Sequence, residues 1–350
     1  MKFGLFYMVP CADWQSPVQR YQDTLEQIDL GDELGFDNAW FAELHFEPKF
    51  STTPSPLMVA AAAAQRSKRI RLGVAVNLLP LHNPVRIAED IATLDVLSNG
   101  RAEFGVGRGA MPAHFQGFNI PIQENRERFV EYLDFVIKAW TYEEFSFVGK
   151  YHSAQDLRVV PKPVQKPHPP IRIASNSADT FELVGNLGHH MFISPFVVPM
   201  PALREGVKVY RQTLAAGGHP VATGELSINK PIFIAGDAEE ARTVPEASVE
   251  NFFNVFLSGY DTPAMQRVVA ANPRAKEAQA RFKAMTFDDW RNDIAICGDP
   301  SQCIEKIEAL HEDFQPSEII CFFNQGGLIE HSRVMDAMKL FASEVMPHFR

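Results

Sequence analysis

The chain has 350 residues, 46% of them hydrophobic and 22% charged, which supplies a large core under an ordinary globular surface. A net charge of -10 without a dense basic stripe excludes nucleic acid as an expected partner. The four cysteines, Cys11, Cys297, Cys303 and Cys321, form no C-x-x-C pair, which argues against a zinc site or disulfide framework and for buried thiols in a reducing, cytoplasmic setting.

The opening run MKFGLFYMVP is apolar but short, and no cleavage site follows it, so Lys2 to Met8 reads as a first strand and not a signal peptide. No apolar stretch is long enough to cross a bilayer. Ser16 and Pro17 then open a helix, with Gln19 placed to complete a capping box and Gly35 to stop it. Phe36 to Phe41 is a second strand. Ser55 and Pro56 start a helix that runs through the alanine block to Ser67.

Ile70 to Val76 alternates large apolar residues with Arg71, Gly73 and Ala75, as a strand against a crowded interior would. Asn83 and Pro84 begin a helix stopped by Gly100, and Arg86, Glu89 and Asp90 give it a solvated ion-pair face. Arg101 to Val106 is the fourth strand, and Phe129, Leu133, Val136 and Trp140 mark a long helix after it. The proline-rich run from Pro161 to Pro170 reads as a stiff surface loop feeding the strand Ile171 to Ala174, and less well as a linker between domains. A helix follows from Ser177 to Leu187, then the strand His190 to Ser194 and a helix from Leu203 to Ala216. Leu226 to Ala235 is a strand broken by Pro231. Residues 236 to 296 hold several helices and a mobile loop, which suggests an insertion or lid. Asp299 and Pro300 cap the next helix, and Glu318 to Phe323 is the last strand before a C-terminal helix.

Eight strands separated by helices predict a single (β/α)8 TIM barrel domain over residues 1–350; a doubly wound open sheet is the alternative. In a barrel the active site lies at the carboxyl ends of the strands. Three segments there carry candidate chemistry. GVGRG from Gly105 to Gly109 offers backbone N–H groups and the Arg108 guanidinium to an anion, or simply a tight turn; as a dinucleotide fingerprint it is poor, because Pro112 interrupts the helix. Ser177 and Thr180 open a helix, where they would either cap it or hold a phosphate, and Asp179 counts against the phosphate. His45 beside Glu43 is either a catalytic or a structural histidine. No metal motif is present.

Taken in order, WFAELHF from Trp40 to Phe46, NPVRIAEDIATLDVLSNGR from Asn83 to Arg101, FGVGRG from Phe104 to Gly109, IASNSADT from Ile173 to Thr180 and the Gly298-Asp299-Pro300 start resemble the bacterial luciferase family of flavin monooxygenases. The resemblance covers nearly the whole chain. It implies a barrel enzyme, usually a homodimer, that uses reduced flavin mononucleotide (FMN) and dioxygen to place one oxygen atom on a small organic substrate, here an apolar one. A separate NAD(P)H-dependent reductase would supply the flavin.

Carried over by position, Arg108, Ser177 and Thr180 match phosphate-binding residues, and Asn176 stands where the family often has glutamate. Ala75 and Val76, with Asn77 beside them, match the strand-three segment that faces the flavin ring and carries an unusual cis peptide. Gly107 falls where luciferase has a cysteine. Leu44 replaces the catalytic histidine of luciferase, so light emission is not expected, and His45, His82 or His114 must take any proton-transfer role. The same resemblance leaves room for a deazaflavin-dependent hydride-transfer enzyme, or for a flavin-binding protein without catalysis.

Overall fold

The computed structural model describes residues 1–196, 198–220, 224–271 and 273–350. Its strands are β1 (Lys2–Tyr7), β2 (Asn38–Phe41), β3 (Arg71–Leu78), β4 (Ala102–Gly107), β5 (Phe145–Val148), β6 (Ser153–Leu157), β7 (Ile171–Ala174), β8 (His190–Ile193), β9 (Leu226–Ile234), β10 (Ile296–Gly298) and β11 (Glu318–Phe322). Strands β1, β2, β3, β4, β7, β8, β9 and β11 pair in parallel in that order, and β11 returns to β1. The sheet is therefore a closed eight-stranded barrel, and the open doubly wound alternative fails. Each barrel strand coincides with one read from the sequence.

Local signals behave as their chemistry requires. The Ser16 hydroxyl accepts from the Gln19 amide, and Gly35 and Gly188 end their helices in the left-handed region at φ 87° and 73°. Asn83 caps its helix by accepting from the Val85 amide. The Gln19 side chain does not complete the capping box; its amide reaches Asp23 instead, at 2.7 Å. Nor does Pro231 break β9. The strand runs through it because the pairing with β8 has already ended at Ile228, and beyond Pro231 the partner becomes β10, so the missing N–H falls where the neighbours change.

The antiparallel hairpin of β5 and β6 and the short β10 were not read from the sequence. The hairpin buries only Phe145 and Phe147, against Phe135, and leaves Ser146 and Val148 in solvent. The proline-rich loop lies against the barrel: Gln165 donates from its backbone and side chain to Asp95, at 2.9 and 2.7 Å. Among the described residues, 236 to 296 is mainly helical, with Glu246–Ser258, Pro263–Ala271 and Pro273–Ala284 as its longer helices.

The barrel interior is filled by Trp40. Its indole donates to Glu318 Oε1 at 2.9 Å, and the same carboxylate accepts from Asn38 and Ser227, both at 2.6 Å. A buried carboxyl group left without such partners would carry a large desolvation cost. The small residues opposite are there for this ring: a Cβ on Gly4 would stand 2.5 Å from Glu318 Oε1, and one on Gly73 would overlap the Trp40 ring. No helix among the described residues is long and apolar enough to cross a membrane.

Candidate active site

Because the barrel strands are parallel, the ends of β2, β3, β4 and β7 share one rim. Four features meet there.

The first is Glu43, just beyond β2, with its side chain wholly buried. Its carboxylate accepts from His45 Nε2 at 2.9 Å, His82 Nε2 at 2.6 Å, Asn77 Nδ2 at 2.8 Å and the Leu78 amide at 3.0 Å. Burial opposes its charge, but the donors outweigh burial and bring its pKa down to about 2. Glu43 thus ties the end of β2 to the end of β3 and orients two imidazoles. His114 closes the group: its Nε2 accepts from the His45 amide at 3.3 Å, and burial beside His45 lowers its pKa to about 4. His114 is therefore neutral at pH 7. The three histidines that the sequence offered as substitutes for the missing one are brought together, with Phe46 and Phe118 packed on the His45 ring. Leu44 instead packs on the core.

The second feature is the floor of the barrel mouth. Trp40, Phe192 and Ile320 form a buried apolar layer, and Phe6, Ala75, Val76 and Ala174 lie partly exposed against it. The Ala75–Val76 peptide is cis. Gly107 is buried beside it, and a Cβ there would stand 2.5 Å from Val76 Cγ2. Asn77 Oδ1 is buried and has no hydrogen-bond partner among the described residues.

The third is a polar cradle beside that floor. Arg108 Nη2 donates to Thr180 Oγ1 at 2.9 Å and to Ser177 Oγ at 3.3 Å, and the two hydroxyls lie 2.7 Å apart. Ser177 makes no side-chain capping bond to its own helix. Its hydroxyl is spent on the cradle, so ordinary capping does not explain it. Asn176 is exposed, and its side chain makes no hydrogen bond among the described residues. Asp179 sits in the same cradle, paired with Arg108 and also with Arg126, a residue that no sequence motif singled out.

The fourth is an apolar cavity at the edge of the mouth, lined by Phe50, Met111, Val255, Phe256, Tyr260 and Met265. Phe256 belongs to a ring cluster with Phe196 and Phe282, at centroid distances of 5.2 and 4.6 Å. Part of the high phenylalanine content is therefore concentrated where the helices Glu246–Ser258 and Pro273–Ala284 meet Phe196, beyond the end of β8. Among the described residues no group of three or more His, Cys, Asp or Glu is placed to hold a metal ion.

Residues 1–314 match the model of the luciferase-like monooxygenase family. The chain belongs to that family. This luciferase-like protein is similar over its full length to the monooxygenase RslO1 of Streptomyces bottropensis, at 27% identity, a TM-score of 0.83 and complete coverage of both chains. The oxygenating constituent of 3,6-diketocamphane monooxygenase from Pseudomonas putida, solved with FMN, shares its fold at 22% identity and a TM-score of 0.82, covering 99% of this chain and 98% of that one. An F420-dependent secondary alcohol dehydrogenase does so at 17% identity and a TM-score of 0.77, covering 100% and 99%. The luciferase-like fold alone therefore does not select between flavin and deazaflavin.

Proposed function

We propose that this protein is the oxygenase component of a two-component monooxygenase that takes reduced FMN from a separate reductase and oxidises a small apolar substrate. The observation that carries the reading is the convergence of Arg108, Ser177 and Thr180 beside a flat apolar floor. A guanidinium and two hydroxyls suit a terminal phosphate, and charge-assisted bonds of this kind are the strong ones. Ala75, Val76, Phe6 and Ala174 suit the face of a flavin ring, and the absent side chain at Gly107 keeps the approach open. Asn77 Oδ1 is an unused acceptor next to that floor.

When bound, reduced flavin supplies the electrons that activate dioxygen. The protein's own residues do the rest. The cradle fixes the phosphate end, the floor orients the ring, and residues 246–284 close over the mouth and keep water out. The cavity lined by Phe50, Phe256 and Tyr260 receives the apolar substrate. The ionised Glu43 accepts a hydrogen bond from His45 Nε2–H, which leaves Nδ1 as the ring nitrogen free to take or return a proton. His45 is the catalytic residue in this reading. Glu43 and His82 are positioning residues. Homodimer formation is supported by Met58, Val96 and Leu97, apolar residues exposed along the helices Pro56–Arg66 and Pro84–Leu97.

The test supplies the protein with a flavin reductase, NADH, FMN and labelled dioxygen, and screens aldehydes, cyclic ketones and sulfonates. Label in a product establishes the monooxygenase. Substrate oxidation with oxidised deazaflavin, or substrate reduction with reduced deazaflavin, in either case without label, would establish hydride transfer instead. Flavin binding with no turnover in either arm would leave a binding protein.

A further inference from the structure

The cradle contains its own anion. Asp179 Oδ1 accepts from Ser177 Oγ at 2.5 Å, and Oδ2 lies 3.3 Å from Arg108 Nη1 and 3.4 Å from Arg126 Nη1. Two of the three groups suited to a phosphate are therefore engaged by a carboxylate. That carboxylate is ionised: the Ser177 hydroxyl, Arg108 and Arg126 together hold it below its usual range. A phosphate dianion placed on Arg108 and Ser177 would meet this negative charge at hydrogen-bonding range, where like charges repel strongly. One of the two anions must yield. Asp179 can do so, because its side chain is 41% exposed and its second partner, Arg126, is 58% exposed.

We propose that Asp179 competes with the flavin phosphate for Arg108 and Ser177, and that phosphate binding hands Asp179 over to Arg126. This rests on the flavin reading above and adds a device to it. The grip on the phosphate becomes reversible, because each departing flavin is replaced by an anion already in place. Such an exchange suits an oxygenase that receives its flavin from another protein and must return it. The competing explanation is that an acidic residue in a helix first turn is favoured by the helix dipole. That explanation gives Asp179 no effect on phosphate affinity.

The experiment measures equilibrium binding of FMN and of riboflavin, which lacks the phosphate, to the full chain by flavin fluorescence, and repeats FMN in its reduced form without oxygen. The variants are D179N, R126A, D179N/R126A and R108A. The handover predicts that D179N tightens FMN about fivefold or more and leaves riboflavin unchanged. It also predicts that R126A weakens FMN when Asp179 is present and has no effect when Asp179 is asparagine. Unchanged or weaker FMN binding in D179N, while R108A still loses affinity, overturns the competition and leaves the phosphate cradle standing. Equal weakening by R126A in both backgrounds overturns the handover, because Arg126 would then act on the phosphate directly. Wild-type FMN affinity in R108A removes the cradle reading and this proposal with it.

Discussion

Replacing Glu43 by glutamine removes the charge that four donors share while keeping the side chain's shape. The carboxylate accepts from His45, His82, Asn77 and the Leu78 amide, all within 3.0 Å. A glutamine presents an NH2 group on one side, so about half of these donors lose their acceptor. Hydrogen bonds to a charged group are worth about 1.5–3 kcal/mol each, and two lost bonds therefore cost about 3 kcal/mol or more. The lowered pKa restates the same interactions in terms of pH. A carboxyl lowered from 4.5 to about 2 carries about 3 kcal/mol of stability at neutral pH.

The sign follows from which state takes up the proton. The unfolded carboxyl protonates as pH falls through 4.5, and the folded one holds out to about 2. The Glu43 contribution is thus complete above pH 4.5 and is lost as pH falls toward 2. Thermal unfolding at pH 7 and at pH 3.5 measures both effects. The expected midpoint temperature at neutral pH is lower by roughly 4 °C, with a gap to wild type that narrows in acid. Flavin affinity falls as well, because Asn77 and Leu78 are no longer pinned. A midpoint within about 1 °C of wild type at pH 7, or a gap that does not change with pH, would refute the reasoning.

Gly73→Ala forces a methyl group into the Trp40 ring and should cost about 1–3 kcal/mol, read as a lowered midpoint; the added variant Trp40→Phe should recover part of the loss. His114, with its pKa lowered from 6.5 to about 4, stays neutral when folded while its unfolded counterpart takes a proton. Its contribution is therefore intact above pH 6.5 and lost as pH falls toward 4, and His114→Gln should flatten the stability profile in that window; an NMR titration of His114 near 6.5 would contradict this. Limited proteolysis within residues 246–284 should slow when FMN is added, and unchanged cleavage would argue against closure over the mouth.

The barrel was legible because each of its strands is a short apolar run between turn residues, and parallel strands buried on both faces leave that mark in sequence. The hairpin of Phe145–Val148 was not, because half of it faces solvent and its alternation covers only four residues. The cradle was half legible. Arg108, Ser177 and Thr180 were found through family position, yet nothing local shows that the Ser177 hydroxyl bonds the side chains of Asp179, Thr180 and Arg108 instead of its helix backbone. Asp179 was noticed as an awkward charge, but its pairing with Arg126 spans 53 residues and leaves no motif. Glu43 was visible only as a neighbour of His45. Its other donors, Asn77, Leu78 and His82, lie 34 to 39 residues away and are brought to it by the pairing of β2 with β3.

In the proposed function, the rim formed by β3, β4 and β7 holds a flavin nucleotide by its phosphate. A crystal structure of the protein soaked with FMN tests it most directly. The account predicts phosphate oxygens within hydrogen-bonding distance of the Arg108 guanidinium and the Ser177 and Thr180 hydroxyls, with the ring lying on Ala75, Val76, Phe6 and Ala174. A phosphate bound elsewhere, or a ring seated away from that floor, would contradict it.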